Sequence, residues 1–345
     1  MIKKETFTLE HINELRSRKS INLLLLERSI YALGLLEALA RVGMPFIFKG
    51  GSCLMLLLES PRRLSTDIDI IVKPGTDVKS FIEEASKIFP FVDVKEQIRI
   101  GKNNIEKRHY KFIYDSPVNN EDFYILLDIV FDECHYSKLI SKPIKNEFLL
   151  TEDPCLEVSV PTPDCILGDK LTAFAPHTTG IHFGEDKELE IIKQLYDVAC
   201  LFEASSNYED IYESYMATVN AELAFRGIEN TSEDVLLDTI DAACCVIGKG
   251  KIGTEYPQLF KGIKSIVNHI YSEKYTGETA AFNACRIMYV ASCILKNKPL
   301  RKISDFNLYI KEDISKTRFS KLSFMRKINL ESFAYIVEAA KVLDS

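Results

Sequence analysis

The chain has 345 residues, 46% of them hydrophobic, and a formal net charge of −7. That is enough apolar material for two domains or one elaborated domain, and it excludes a disordered chain. The acidic balance argues against a protein that grips long nucleic acid over its whole surface. No run of 18 apolar residues occurs, which predicts no membrane span. The charged opening MIKKETFTLEHINELRSRK has no apolar signal core, so a cytoplasmic protein is expected. The nine cysteines form no CxxC pair and mostly fall in apolar helical patterns, which reads as reduced thiols rather than disulfides or zinc.

A short helix is expected over residues 8–18 and a longer one over 20–42, opened by Ser20 and closed near Gly43. Leu23, Leu26, Ile30, Leu33, Leu36 and Leu39 mark the core face of the second. The stretch from Phe46 to Val72, FIFKGGSCLMLLLESPRRLSTDIDIIV, then reads as strand, glycine turn, helix, polar turn and strand. In the second strand Asp67 and Asp69 share one face, with Ile68, Ile70 and Val72 on the other. The two carboxylates lie roughly 6–7 Å apart along the chain. Like charges that close call for a shared cation, and oxygen-only ligands suit Mg²⁺ or Mn²⁺. The turn Lys49-Gly50-Gly51-Ser52 precedes a helix, so its backbone can approach a ligand where helix N–H groups point outward. Phosphate is the expected guest there. A phosphate cradle followed by a two-carboxylate strand is the pattern of phosphoryl or nucleotidyl transfer.

This stretch resembles the signature of the nucleotidyltransferase superfamily, which includes the DNA polymerase β palm: Gly-Ser, a spacer, then Asp-x-Asp. In the form KGGS…RxSxDID it most resembles the AbiEii/AbiGii family of bacterial toxins. Lys49, Gly50, Gly51, Ser52, Arg63, Ser65, Asp67 and Asp69 match position by position.

Beyond Val72, a helix is expected over 76–89. A basic hairpin follows, Phe91–Gly101 and Arg108–Tyr114, carrying Arg99, Lys102, Lys107, Arg108 and Lys111. Solvated edge-strand cations explain it slightly better than phosphate contacts do. The strand Tyr124–Asp132 puts Asp128 and Asp132 on one face, with Ile125, Leu127, Ile129 and Phe131 on the other. The resemblance implies a third carboxylate from a strand beside the Asp-x-Asp strand; Asp128 is the first choice and Asp132 the fallback. A short strand over 156–162 ends the first domain. Asp164 opens a helix whose Lys170 resembles the family's second motif, a helical lysine on nucleotide phosphate. HTTGIHFGED, residues 177–186, reads as a loop able to move. In the helix Lys187–Ala204, Lys193 and Asp197 match the third motif, roughly R-x-K-D-L-Y-D-L; Gln194 stands where the motif has Asp. From 205 onward nearly all is helix, with loops at 205–207, 228–232, 248–257 and 297–304. Residues 296–327 carry ten Lys and Arg against three Asp and Glu, or +7, leaving −14 for the rest. Such a patch suits a short RNA segment, an acidic partner or plain solvent.

The expected fold is therefore α/β (α+β). Residues 1–162 hold a nucleotidyltransferase palm with a mixed sheet and N-terminal helices, and 163–345 a helical C-terminal domain. The resemblance implies transfer of an NMP from an NTP to an acceptor hydroxyl of RNA or tRNA, by a toxin of an abortive-infection or toxin–antitoxin system with a cognate antitoxin. On that reading Asp67, Asp69 and Asp128 bind Mg²⁺ or Mn²⁺. Lys49, Gly50, Gly51, Ser52, Arg63 and Lys193 hold the nucleotide, and Lys170 and Asp197 join the catalytic set. The alternatives are nucleotidylation of a small molecule or protein side chain, and an inactive nucleotide- or partner-binding relic.

Overall fold

The computed structural model describes residues 1–18, 21–97, 106–271 and 273–345. The chain divides into two units. One is Met1–Thr162 with Asn268–Glu273, the other Pro163–Val267 with Lys274–Ser345.

The first unit opens with α1 (Leu9–Arg18) and α2 (Leu23–Arg41). Asn22 caps α2 by accepting from the Leu25 amide at 3.1 Å; Ser20, expected at this start, lies outside the described residues. Leu26, Ile30, Leu33, Leu36 and Leu39 are fully buried. Then come β1 (Ile47–Lys49), α3 (Gly50–Leu57), β2 (Asp67–Val72), α4 (Lys79–Ala85), β3 (Phe91–Glu96), β4 (Lys107–Asp115), β5 (Asp122–Phe131), β6 (Leu139–Pro143) and β7 (Glu157–Pro161). The helix expected over 76–89 is shorter, and Arg99 and Lys102 of the basic hairpin lie outside the described residues. Strand β6 carries no strong alternation and was not expected.

One mixed seven-stranded sheet results, in the order β3-β4-β5-β2-β1-β7-β6. Strands β2 and β5 run parallel, as do β1 and β7; the remaining pairs are antiparallel. Helix α2 packs on β2 and β5. Ile68, Ile70, Ile125, Leu127 and Ile129 are fully buried, each contributing about 1.5–3 kcal/mol of apolar burial. Asp67, Asp69, Leu126 and Asp128, on the opposite face, keep partial exposure.

The second unit is helical: α5 (Pro163–Ala173), α6 (Glu188–Ala204), α7 (Tyr208–Arg226), α8 (Ser232–Gly248), α9 (Tyr256–Ile266), α10 (Gly277–Leu295), α11 (Met325–Ile328) and α12 (Leu330–Asp344). Arg286 of α10 ties α6 to α12 through Glu203 at 2.6 Å and Glu331 at 3.1 Å. The loop at 177–186 is tied down at its start. Asp238 accepts from the His177 amide at 2.8 Å and Thr178 Oγ1 at 2.9 Å, and Thr179 Oγ1 donates to the Thr172 carbonyl at 2.7 Å.

Two stretches depart from the expected helix. Residues 305–324 form turns and short 3-10 segments, because Asp305, Asp313 and Thr317 bond nearby backbone amides and compete with helical bonding. After α9 the chain turns over 267–269 and joins the first unit through an antiparallel bridge of Ile270 to Arg63: Leu64 N donates to His269 O at 2.7 Å and Tyr271 N to Arg62 O at 2.9 Å. Among the described residues no cysteine is in a disulfide. Among the described residues, no helix is long and apolar enough to cross a membrane.

Candidate active site

The site grows from strand register. Asp69 of β2 pairs with Asp128 of β5 in a parallel ladder, and with Lys49 of β1 in an antiparallel one. His109 of β4 pairs with Asp128 from the other side. Residues paired in register point to the same face, about 4.8 Å apart. A row Lys49–Asp69–Asp128–His109 therefore crosses four strands, with Asp67 one step along β2. Asp132 lies beyond the end of β5. Its Oδ1 accepts from the Glu133 amide at 2.8 Å and its Oδ2 meets His135 Nε2 at 3.1 Å.

The glycines are not a separate turn but the first turn of α3, which starts directly after Lys49. Gly50 has φ +79°, and a Cβ there would overlap the Asp69 carboxylate. A Cβ on Gly51 would stand 2.5 Å from Arg63 Nη2 and 2.9 Å from Ser65 Oγ. Only glycine admits both approaches, so the bend is packed directly on the acidic strand and on Arg63. Arg63 itself is buried, and its Nη1 donates to Leu64 O at 3.2 Å.

Ser52 departs from expectation. It is fully buried, and its hydroxyl donates to the main-chain carbonyl of Asp67. Here the side chain anchors the start of β2 to α3 instead of facing a ligand. What α3 offers an anion is its first-turn backbone and dipole.

Two residues were missed. Arg28 of α2 places Nη2 3.5 Å from Asp67 Oδ1 and its guanidinium 5.4 Å from the Phe123 ring centroid. His109 places Nδ1 2.5 Å from Asp128 Oδ1. Both meet the acids through long-range packing, which no local periodicity reveals. Next to Arg28, Glu27 is fully buried and accepts from Ser116 Oγ at 2.8 Å and the Val118 amide at 3.3 Å. Loss of water raises its pKa above the usual carboxylate value, although these bonds oppose the shift.

The second unit holds its own polar set. Lys170 is buried, with Nζ 3.0 Å from Asp197 Oδ2 and 3.0 Å from Gln194 Oε1. Asp197 is 1% exposed, so its charge depends on such a cation. The expected helical neighbours Lys193 and Asp197 are arranged differently: Lys193 bonds Glu190 at 2.7 Å. Gln194, which replaces the motif's Asp, serves as a neutral acceptor for Lys170.

Among the described residues, no group of three or more His, Cys, Asp and Glu side chains forms a metal site by itself. The carboxylates fit another mode. Mg²⁺ retains water and commonly binds through one or two carboxylates completed by substrate phosphates. Asp67, Asp69 and Asp128 on one face, beside an anion-attracting helix start, offer that donor set.

A model of the family described as nucleotidyl transferase AbiEii toxin, type IV TA system, matches residues 34–247. The chain belongs to this AbiEii family. It is thus a nucleotidyltransferase of a toxin–antitoxin toxin family. The matched span takes in α3, the aspartate strands and the Lys170–Asp197 pair. Among solved structures, the chain is similar to JHP933 from Helicobacter pylori, at 15% identity and a TM-score of 0.45, covering 79% of this chain and 93% of that one. It is also similar to an antigenic nucleotidyltransferase-like protein from Paracoccidioides brasiliensis, at 14% identity and a TM-score of 0.38, covering 61% and 92%. No curated protein matches the chain.

Proposed function

We propose that this AbiEii-family protein moves a nucleoside monophosphate from an NTP to the 3′-hydroxyl of an RNA, tRNA first among candidates, in the cytoplasm. The acceptor oxygen bonds to the α-phosphorus, the α–β phosphoanhydride bond breaks, and pyrophosphate leaves. The observation that carries the proposal is the registered pair Asp69–Asp128, with Gly50 packed against the Asp69 carboxylate. Mg²⁺ or Mn²⁺, held by Asp67, Asp69 and Asp128 together with the triphosphate, would supply charge neutralisation for the leaving pyrophosphate. The start of α3 at Gly50 and Gly51 receives phosphate oxygens, and Lys49 and Arg63 lower the cost of gathering that negative charge. Asp128 accepts the hydroxyl proton or shares the cation. Lys170, Lys193 and Asp197 enter the proposal from the family motif alone. A neighbouring antitoxin follows from the type IV family, and abortive infection is the setting in which we place the pair.

Support for RNA comes from the second unit, where nine of the ten cations between 296 and 327 are exposed, Arg326 excepted. A second reading, nucleotidylation of a metabolite or protein side chain, draws on the overall charge of −7. The test incubates the protein with Mg²⁺, total tRNA and each α-³²P-labelled NTP. Label on RNA is the expected result. Label on protein or metabolite turns to the second reading, and no label overturns the proposal. Asp69→Ala should lose transfer by on the order of 10²–10³-fold, the equivalent of several kcal/mol of charge stabilisation.

A further inference from the structure

Asp128 stands between two unlike neighbours. On one side the parallel register sets it beside Asp69; on the other the antiparallel register sets it beside His109. Two carboxylates in adjacent strands repel and tend to rotate apart. The imidazole opposes that rotation. His109 Nδ1 lies 2.5 Å from Asp128 Oδ1, with the His109 side chain 13% exposed and that of Asp128 25%. An ionised carboxylate only accepts, so the proton of this bond belongs to Nδ1. The bond commits one oxygen of Asp128 to the imidazole and leaves the other to the site. The fallback acid, Asp132, also meets a histidine, but both of its oxygens are engaged, Oδ1 by the Glu133 amide and Oδ2 by His135, and it lies beyond the end of β5, out of register with Asp69.

We propose that His109 is a positioning residue, which holds Asp128 in the rotamer that serves the cation and nucleotide and thereby makes Asp128, not Asp132, the third carboxylate. This rests on the nucleotidyltransferase reading above. The role is that of a partner behind a metal ligand, where loss typically costs 10–100-fold in metal affinity or activity. It is assigned to a bond from one specific nitrogen, and that makes it separable from mere filling of space. An asparagine amide can stand where Nδ1 stands; a glutamine amide falls at the Nε2 position.

The test uses the full chain as His109→Asn, His109→Gln and His109→Leu. Mn²⁺ affinity is read by electron paramagnetic resonance of the free ion, with each of the four α,β-methylene NTPs present. Transfer of label to total tRNA and the thermal midpoint are measured alongside. The Gln and Leu variants should weaken Mn²⁺ binding by about 10–100-fold, while Asn stays near wild type and restores transfer. Wild-type affinity in the Leu variant overturns the inference. So does an Asn variant as weak as Gln, which would show that the ring matters and the Nδ1 bond does not. If the Leu variant does not fold, the Asn–Gln comparison decides, because both are polar and of similar size. Asp69→Asn separates the two layers. If it loses Mn²⁺–nucleotide binding while the His109 series stays flat, only the positioning role falls. If wild type binds no Mn²⁺ with any nucleotide, both fall.

Discussion

At Gly50 the backbone turns at φ +79°, and a side chain there would overlap the Asp69 carboxylate. Both constraints act on one atom, so Gly50→Ala should displace Asp69 and strain the start of α3. We expect about 1–3 kcal/mol of lost stability for the backbone conformation, and a loss of nucleotide transfer approaching that of Asp69→Ala. Thermal melting and the labelled-NTP assay measure the two effects separately. Residues of this kind were legible from the sequence: glycines before a helix and alternate aspartates in a strand are local patterns. The bond partners were not. Ser52 sits in the same motif, yet its hydroxyl turns inward to Asp67, a direction fixed by how α3 packs on β2. His109 meets Asp128 only because β4 and β5 pair in one register, and a shift of one residue would send it to the other face.

At the scale of elements, α2 carries a carboxyl where its pattern shows a nearly unbroken apolar surface. Glu27 is fully buried, and burial raises its pKa from 4.5. The folded state therefore favours the protonated form. Its contribution to stability is complete below pH 4.5 and is lost as pH rises through the raised folded value. Glu27→Gln removes that loss while keeping an acceptor for Ser116 or the Val118 amide. The variant should melt close to wild type near pH 4 and above it at pH 7, by about 2–4 °C for each 1 kcal/mol recovered. Melting curves across that pH range test the sign. Strongly alternating or periodic elements such as β2, β5, α2 and α6 were readable within a few residues. Strand β6 was not, since a five-residue edge strand, Leu-Ile-Ser-Lys-Pro, carries little pattern. The turns at 305–324 were also missed, because Asp and Thr side chains there satisfy the backbone locally.

At the scale of the molecule, the chain leaves the first unit at Thr162 and comes back to it for Asn268–Glu273. The return is held by the Leu64 and Tyr271 amides and by Tyr271 Oη, which donates to Glu147 at 2.8 Å. These two amides should exchange hydrogen together and slowly. Tyr271→Phe should speed both by roughly fivefold, the equivalent of about 1 kcal/mol; unequal changes would show that the return is not one cooperative piece. The two-part division was visible in the switch from strand to helix patterns near residue 162. The return was not, because six residues without periodicity give no local mark of where they dock. Its consequence is evolutionary as well as mechanical. Recombination that exchanged everything after residue 163 with a relative would carry a foreign stitch into the recipient's acidic-strand half. The genes of this lineage should therefore be inherited whole, and chimaeras spliced at that boundary should need His269–Tyr271 matched to the new host's Arg62–Leu64 before they fold.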